Sequence, residues 1–292
     1  MHDLWHLYWH GAVNTGPHSL KLHRLALSII QIREQGVLVL ESKIAGIAAN
    51  PDTAPDEHRR NLEGKMSIAE ASDGTHIWTN LPFLVDDMTT HWTNHCATLS
   101  SAQRLTGAQF LTHLAAAGAV DNDALSGIAL IVLRDTLETS RSLGSAAFTE
   151  MNQNRHWQDL TVANLLLAAK VWLLTTGRML VQLSDDEWDE CSADVGRLGE
   201  LVVISLDADP SLEVPSRGRF NPQRWMWWLR RLREMADFTT QEDKAEKVGQ
   251  KDRSLVNFVH GVMDNMMLIA EKTKGPVVRM LRSTGGAVMH QS

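Results

Sequence analysis

A chain of 292 residues that is 43% hydrophobic and 22% charged carries enough apolar material for a large core, which excludes a disordered protein. Its net charge of −7 excludes a general nucleic-acid binder, because phosphate recognition needs a cationic surface. With Cys96 and Cys191 as the only cysteines, a disulfide framework is excluded and a reducing cytoplasm is the expected compartment.

The elements follow in chain order. Residues 2–14 predict a short aromatic helix that stops near Gly16-Pro17, and this start lacks the basic-then-apolar order of a secretory signal. Ser19 is the expected cap of a second helix running to about Gln35, with Leu22, Leu25, Ile29 and Ile32 on its inner side and Gly36 closing it. Residues 50–76, with Pro51, Pro55, Gly64 and Gly74, predict a flexible polar connection. A helix from Leu81 to Cys96 follows, with Pro82 in its first turn, and then helices over 101–117 and 123–140.

The 160–183 segment is apolar enough to consider as a membrane span. Asn164, Lys170 and Arg178 interrupt it, so a buried core helix is expected instead. After the acidic stretch 185–190, a weaker helix is predicted over 192–205. Asn221-Pro222 then reads as an N-cap followed by proline at the first helical position. In the helix 222–236, Trp225, Trp228, Leu229 and Leu232 repeat at the spacing that buries one face. A long helix from about 240 to 272 and a loose tail at 285–292 complete the chain. Val37–Leu40 and Leu201–Ile204 have strand character, but neither has a hairpin partner of similar length. The predicted fold is therefore all-α: a single domain over 1–284, roughly ten helices, and no significant sheet.

Several constellations bear on chemistry. His2, His6 and His10 are spaced to share one helical face, as are Asp87, His91 and His95. Such ladders can chelate a transition metal, but no His-Glu-x-x-His is present, and structural histidines with no metal are the expectation. Lys170 is surrounded by apolar residues on its helix. It is either a cation that polarises a ligand oxygen or a lysine that snorkels or pairs internally. Arg224 either grips an anionic or carbonyl ligand with its planar fork or bridges to a carboxylate on a neighbouring helix, the blander alternative. Ten tryptophans against one tyrosine are mostly core material, although flat side chains also line apolar pockets. Phosphate loops, Rossmann fingerprints, nucleophile elbows and calcium loops are all missing from the sequence.

The order of the short motifs resembles a fungal family known as DUF3632. The matching pieces are Leu4-Trp5, the Ser19–Leu25 run, Trp78–Pro82 leading to Trp92, and Phe110–Leu114 with Asp135–Glu138. The Ala168–Gly177 helix around Trp172 follows, and last comes Gly218-Arg219-Phe220-Asn221-Pro222-Gln223-Arg224-Trp225-Met226-Trp227-Trp228. The resemblance implies an all-helical fungal protein of secondary metabolism. Some similar proteins are hetero-Diels–Alderases that join a tropolone-derived quinone methide to a sesquiterpene alkene. Such a cycloaddition needs two apolar partners held face to face in a dry pocket, with donors near the diene oxygen, and it calls for no cofactor. On this reading Lys170, Arg224 and His91 are the candidate donors, and Trp92, Trp172, Trp225 and Trp228 the candidate walls. The expected partners are apolar polyketide and terpene substrates, with no nucleic acid and no membrane span; a homodimer is admitted. The alternative is a non-catalytic helical ligand-binding or interaction protein, which a continuous core without an enclosed apolar cavity would favour.

Overall fold

The computed structural model describes residues 1–41, 66–71, 74–120, 123–144, 155–208, 219–245 and 252–288. Most of the expected polar connection at 50–76 lies outside them, as do the last four residues of the tail. The α-helices among the described residues are α1 (His2–Val13), α2 (Leu20–Glu34), α3 (Leu84–His95), α4 (Ser101–Ala116), α5 (Ser126–Leu133), α6 (Val162–Asp185), α7 (Ala193–Gly196), α8 (Glu200–Ala208), α9 (Pro222–Ala245), α10 (Asp252–Glu271) and α11 (Pro276–Val288). The protein is all-α. One small ribbon accompanies the helices: β1 (Val39–Glu41) pairs antiparallel with β2 (Met66–Ile68), Val39 opposite Ile68. The strand character of Val37–Leu40 thus finds a partner far along the chain, whereas Leu201–Ile204 lies within α8.

Local chemistry starts several helices. The Ser19 hydroxyl accepts from the Lys21 amide at α2, and reciprocal capping boxes open α4 (Ser100 with Gln103) and α6 (Thr161 with Asn164). At α9 the Asn221 side-chain oxygen accepts from the Arg224 amide at 2.7 Å, with Pro222 in the first helical position.

Tertiary contacts move other boundaries. The third helix starts at Leu84 instead of Leu81, because Leu81 and Phe83 take left-handed φ values of 45° and 67°. The Pro82 carbonyl between them accepts from the Trp5 indole at 2.9 Å, which ties this turn beneath α1. The predicted helix over 192–205 is interrupted at Arg197–Gly199, whose backbone serves the buried junction described below. The tryptophan helix extends past 236 to Ala245, and the following helix starts at Asp252. Within the acidic stretch, Asp185 caps α11 from a distance, accepting from the Val277 amide at 2.7 Å. Helix α11 continues through Gly285 to Val288.

Helices α4 and α6 form the centre, with α2 and α1 on one flank and α10 and α9 on the other. One continuous apolar cluster runs from Trp5 on α1 through Trp92, Phe110 and Trp172 to Trp225, Trp228 and Val277. Among the described residues α6 is the one helix long and apolar enough to cross a membrane; 61% of its apolar window is buried within the fold.

Candidate functional site

Two places in the described fold use polar groups in opposite ways. The first is a buried junction where α5 ends in a π-helical turn, Arg134–Glu138, against the start of α9. Glu138 and Arg224 are both fully buried. The Arg224 Nε donates to Glu138 Oε1 at 2.6 Å, and Nη2 donates to Oε2 at 3.0 Å. Its remaining N–H groups donate to the carbonyls of Gly196 (3.1 Å), Arg219 (3.3 Å) and Arg197 (3.0 Å). All five guanidinium donors are thereby used. Glu138 also accepts from the Trp228 indole at 2.7 Å and the Gly199 amide at 2.7 Å. A Cβ on Gly199 would lie 2.4 Å from the Glu138 Cβ, so only glycine fits there. Beside it, Arg134 pairs with Asp135 at 3.0 Å; burial raises the Asp135 carboxyl, and the Arg134 charge opposes that rise. The family-like motif Asp135–Glu138 and the Arg219–Trp228 part of the last motif meet at this junction. Every donor and acceptor of its central ion pair is occupied, so its chemistry is structural.

The second place is an open groove of about 470 Å³, framed by α2, α4 and α6. That volume falls within the range of small-molecule sites. Its walls are Leu20, Leu22, Val171 and Leu174, and its polar groups include His18, His23, Gln109 and His113. Among the described residues no Lys, Arg, Asp or Glu lines it. The rings of His23 and His113 meet edge to face with centroids 5.3 Å apart. Burial, reinforced by the His23 charge, holds His113 below the usual imidazole range. At neutral pH it is therefore an uncharged acceptor, able to take a proton. Another depression, about 550 Å³ along Thr93, Asn94, Ala97 and Thr98, is larger but is bordered by Arg155 and His156 and lacks leucine walls.

None of the sequence-predicted site residues lines the apolar groove. Trp92, Trp172, Trp225 and Trp228 all lie in the core with no exposed surface. Arg224 bridges to Glu138, the alternative expected for it. The Lys170 Nζ sits over the Phe258 ring of α10, 4.4 Å from its centroid, in a cation–π contact. His91 is half-buried between α1 and α3, stacked on Trp9 at 5.9 Å and 5.2 Å from the ring of His6. Burial first, then His6 and His95, lower its pKa, while Asp87 opposes the shift. The two histidine ladders do face each other, and His2 bonds Asp87 at 2.8 Å. Among the described residues no group of three or more His, Cys, Asp or Glu side chains is arranged to hold a metal. Cys96 and Cys191 are free, and burial pushes the Cys96 thiol up to about 12, which leaves it inert at neutral pH.

The sequence reading passed over His18, His23, Gln109 and His113. A signal for two of them was present: His23 and His113 each stand inside a short motif, Ser19–Leu25 and Phe110–Leu114.

A saturated buried junction and an apolar groove, lined by no Lys, Arg, Asp or Glu among the described residues, define an all-α protein with a small-molecule-sized surface site. The chain belongs to the family described as protein of unknown function (DUF3632), whose model matches residues 5–232. It is also similar to "Oxopyrrolidines biosynthesis cluster protein G" of Penicillium oxalicum (strain 114-2 / CGMCC 5302), at 30% identity over all of this chain and 72% of the relative. No solved structure matches it.

Proposed function

We propose that this protein serves fungal secondary-metabolite biosynthesis and receives an apolar pathway intermediate in the groove between α2, α4 and α6. The observation that carries the reading is the groove itself: leucine and valine walls, no Lys, Arg, Asp or Glu among the described lining residues, and imidazoles contributed by family-like motifs. The biosynthetic context is supported by the relative from a biosynthesis cluster. The finer form of the proposal is a hetero-Diels–Alder cyclase. Such an enzyme orients two apolar partners and donates hydrogen bonds to an oxygen that gains charge in the transition state, and the groove offers the wall and the donors for that task. The tryptophans contribute indirectly, by holding the helices that carry the groove.

The test is incubation of the purified full chain with a polyketide quinone-methide precursor and a sesquiterpene alkene. The expected product is an enantioenriched adduct, reduced to background by Leu174→Trp, which fills the groove. A racemic product formed at the uncatalysed rate, with and without protein, removes the cyclase form.

One observation favours a second reading, a non-catalytic ligand-binding or interaction protein. The core is continuous through the tryptophans, and the groove is open to solvent. Under this reading an apolar metabolite binds in the groove and leaves unchanged, which mass spectrometry of the recovered ligand distinguishes from turnover.

A further inference from the structure

The hydrogen bonds between His18 and Gln109 determine what the groove can recognise. The His18 backbone amide donates to Gln109 Oε1 at 3.1 Å. A backbone N–H only donates, so the oxygen of the Gln109 amide must face it. The other end of the same amide, the Nε2 group, then lies 3.0 Å from His18 Nδ1. An amide NH2 only donates, so Nδ1 carries a lone pair. The tautomer that fits this geometry therefore carries its proton on Nε2. An N–H at Nδ1 would confront two N–H groups of the amide.

Two features hold this arrangement. Gln109 is a buried residue on α4, 8% exposed, so its amide has few alternative orientations. His18 takes a left-handed φ of 59°, a region that non-glycine residues seldom occupy. The turn from Pro17 to Ser19 is thus shaped to bring both the amide and the ring of one residue onto one glutamine.

We propose that the groove is selective for an uncharged apolar molecule bearing a carbonyl or similar acceptor oxygen, and that His18 Nε2–H is the donor that meets this oxygen. The inference rests on the groove being the ligand site. Around the donor, Leu20 and Leu174 are 77% and 53% exposed, large apolar side chains that a ligand would cover. Among the described residues no Lys or Arg lines the groove, so a carboxylate would find no permanent cation there, which favours an uncharged ligand. His113, held neutral by its burial, adds an acceptor for a ligand hydroxyl without adding charge.

The experiment uses the full chain with isotope-labelled histidine and three probes that share one skeleton: 2-acetonaphthone, 2-naphthoate and 2-ethylnaphthalene. Long-range 1H–15N spectra at pH 7 are expected to show His18 protonated at Nε2 alone. The ketone is expected to bind about threefold to tenfold more tightly than the hydrocarbon, the range of one neutral hydrogen bond. It should exceed the carboxylate by at least about tenfold. His18→Phe should erase the ketone-over-hydrocarbon preference. Gln109→Glu replaces the amide donor with an acceptor, so Nδ1 should gain a proton and the probe preference should move toward the carboxylate.

A wild-type His18 protonated at Nδ1 overturns the proposal, as does equal affinity for ketone and carboxylate. Leu174→Trp separates this failure from that of the groove reading. If the probes bind equally well but are lost in Leu174→Trp, the groove stands and the oxygen selectivity falls. If they bind unchanged in Leu174→Trp, or none binds wild type at millimolar concentration, both fall.

Discussion

The Glu138–Arg224 junction and the His18–Gln109 groove are both built by helices that meet far apart in sequence, yet they use polar groups in opposite ways. At the junction, two opposite charges are desolvated together and each of their hydrogen-bonding positions is filled by protein. A ligand has nothing left to bind there. At the groove, one face of His18 is fixed by protein, Leu20 and Leu174 stay exposed, and no Lys, Arg, Asp or Glu lines it among the described residues. Motif-rich residues therefore do not all mark chemistry. The largest motif, around Arg224, holds the fold together, while the shorter ones at His23 and His113 border the accessible site.

Breaking the junction should have the largest effect. Glu138→Ala leaves the Arg224 guanidinium buried without its counter-ion, a loss of roughly 3–5 kcal/mol. That corresponds to a fall in Tm on the order of 10 °C, read by calorimetry. Replacing both partners by apolar residues, as in Glu138→Leu with Arg224→Met, should recover part of the loss. No such recovery would show that the pair does more than neutralise itself.

The tryptophans sharpen the comparison at smaller scale. The Trp228 indole donates to Glu138, whereas the Trp225 indole donates to no group among the described residues. Both are fully buried, so truncation to Phe costs each a similar apolar area. Trp228→Phe should cost about 1.5–3 kcal/mol more than Trp225→Phe, the share of a hydrogen bond to a charged acceptor. Equal unfolding midpoints in urea would place the bond outside the stability of the junction. Leu174→Trp belongs to the other region. Its site is more than half exposed, so stability should change by less than about 0.5 kcal/mol while apolar probes are displaced from the groove, as fluorescence titration would show.

How much of this was legible depends on the distance over which each feature is determined. The start of α9 was readable because Asn221 and Pro222 act on their own turn. The inward set Trp225, Trp228, Leu229 and Leu232 was readable from periodicity, and all are buried. The start of α3 was not, since it depends on Trp5 reaching the Pro82 carbonyl across the fold. Nor was the break between α7 and α8, because Glu138 draws the Gly199 amide away from helical pairing. The same reason hid the groove. The tautomer of His18 is set by Gln109, 91 residues away, and no spacing rule links a turn to the middle of another helix.

The smallest expected effect is pH dependence, and it too separates the regions. His91 and His113 are held below the ordinary imidazole value by burial, helped by His6 and His95 in the first case and His23 in the second; Asp87 opposes the shift at His91. A lowered pKa in the fold means that the unfolded chain binds more protons just below pH ~6.5. The contribution is therefore complete above that pH and is lost as pH falls toward the lowered values of the folded protein. Asp135, whose carboxyl is raised by burial, acts with the opposite sign, since the fold then binds the extra proton as pH falls toward the carboxylate range. Urea midpoints measured at pH 7.5 and 5.5 should show wild type weakening in acid, and a His91→Gln, His113→Gln double variant weakening less. Because both imidazoles are only half-buried, the difference should be modest next to that of Glu138→Ala. An unchanged acid loss in the double variant would show that neither imidazole carries the pH response.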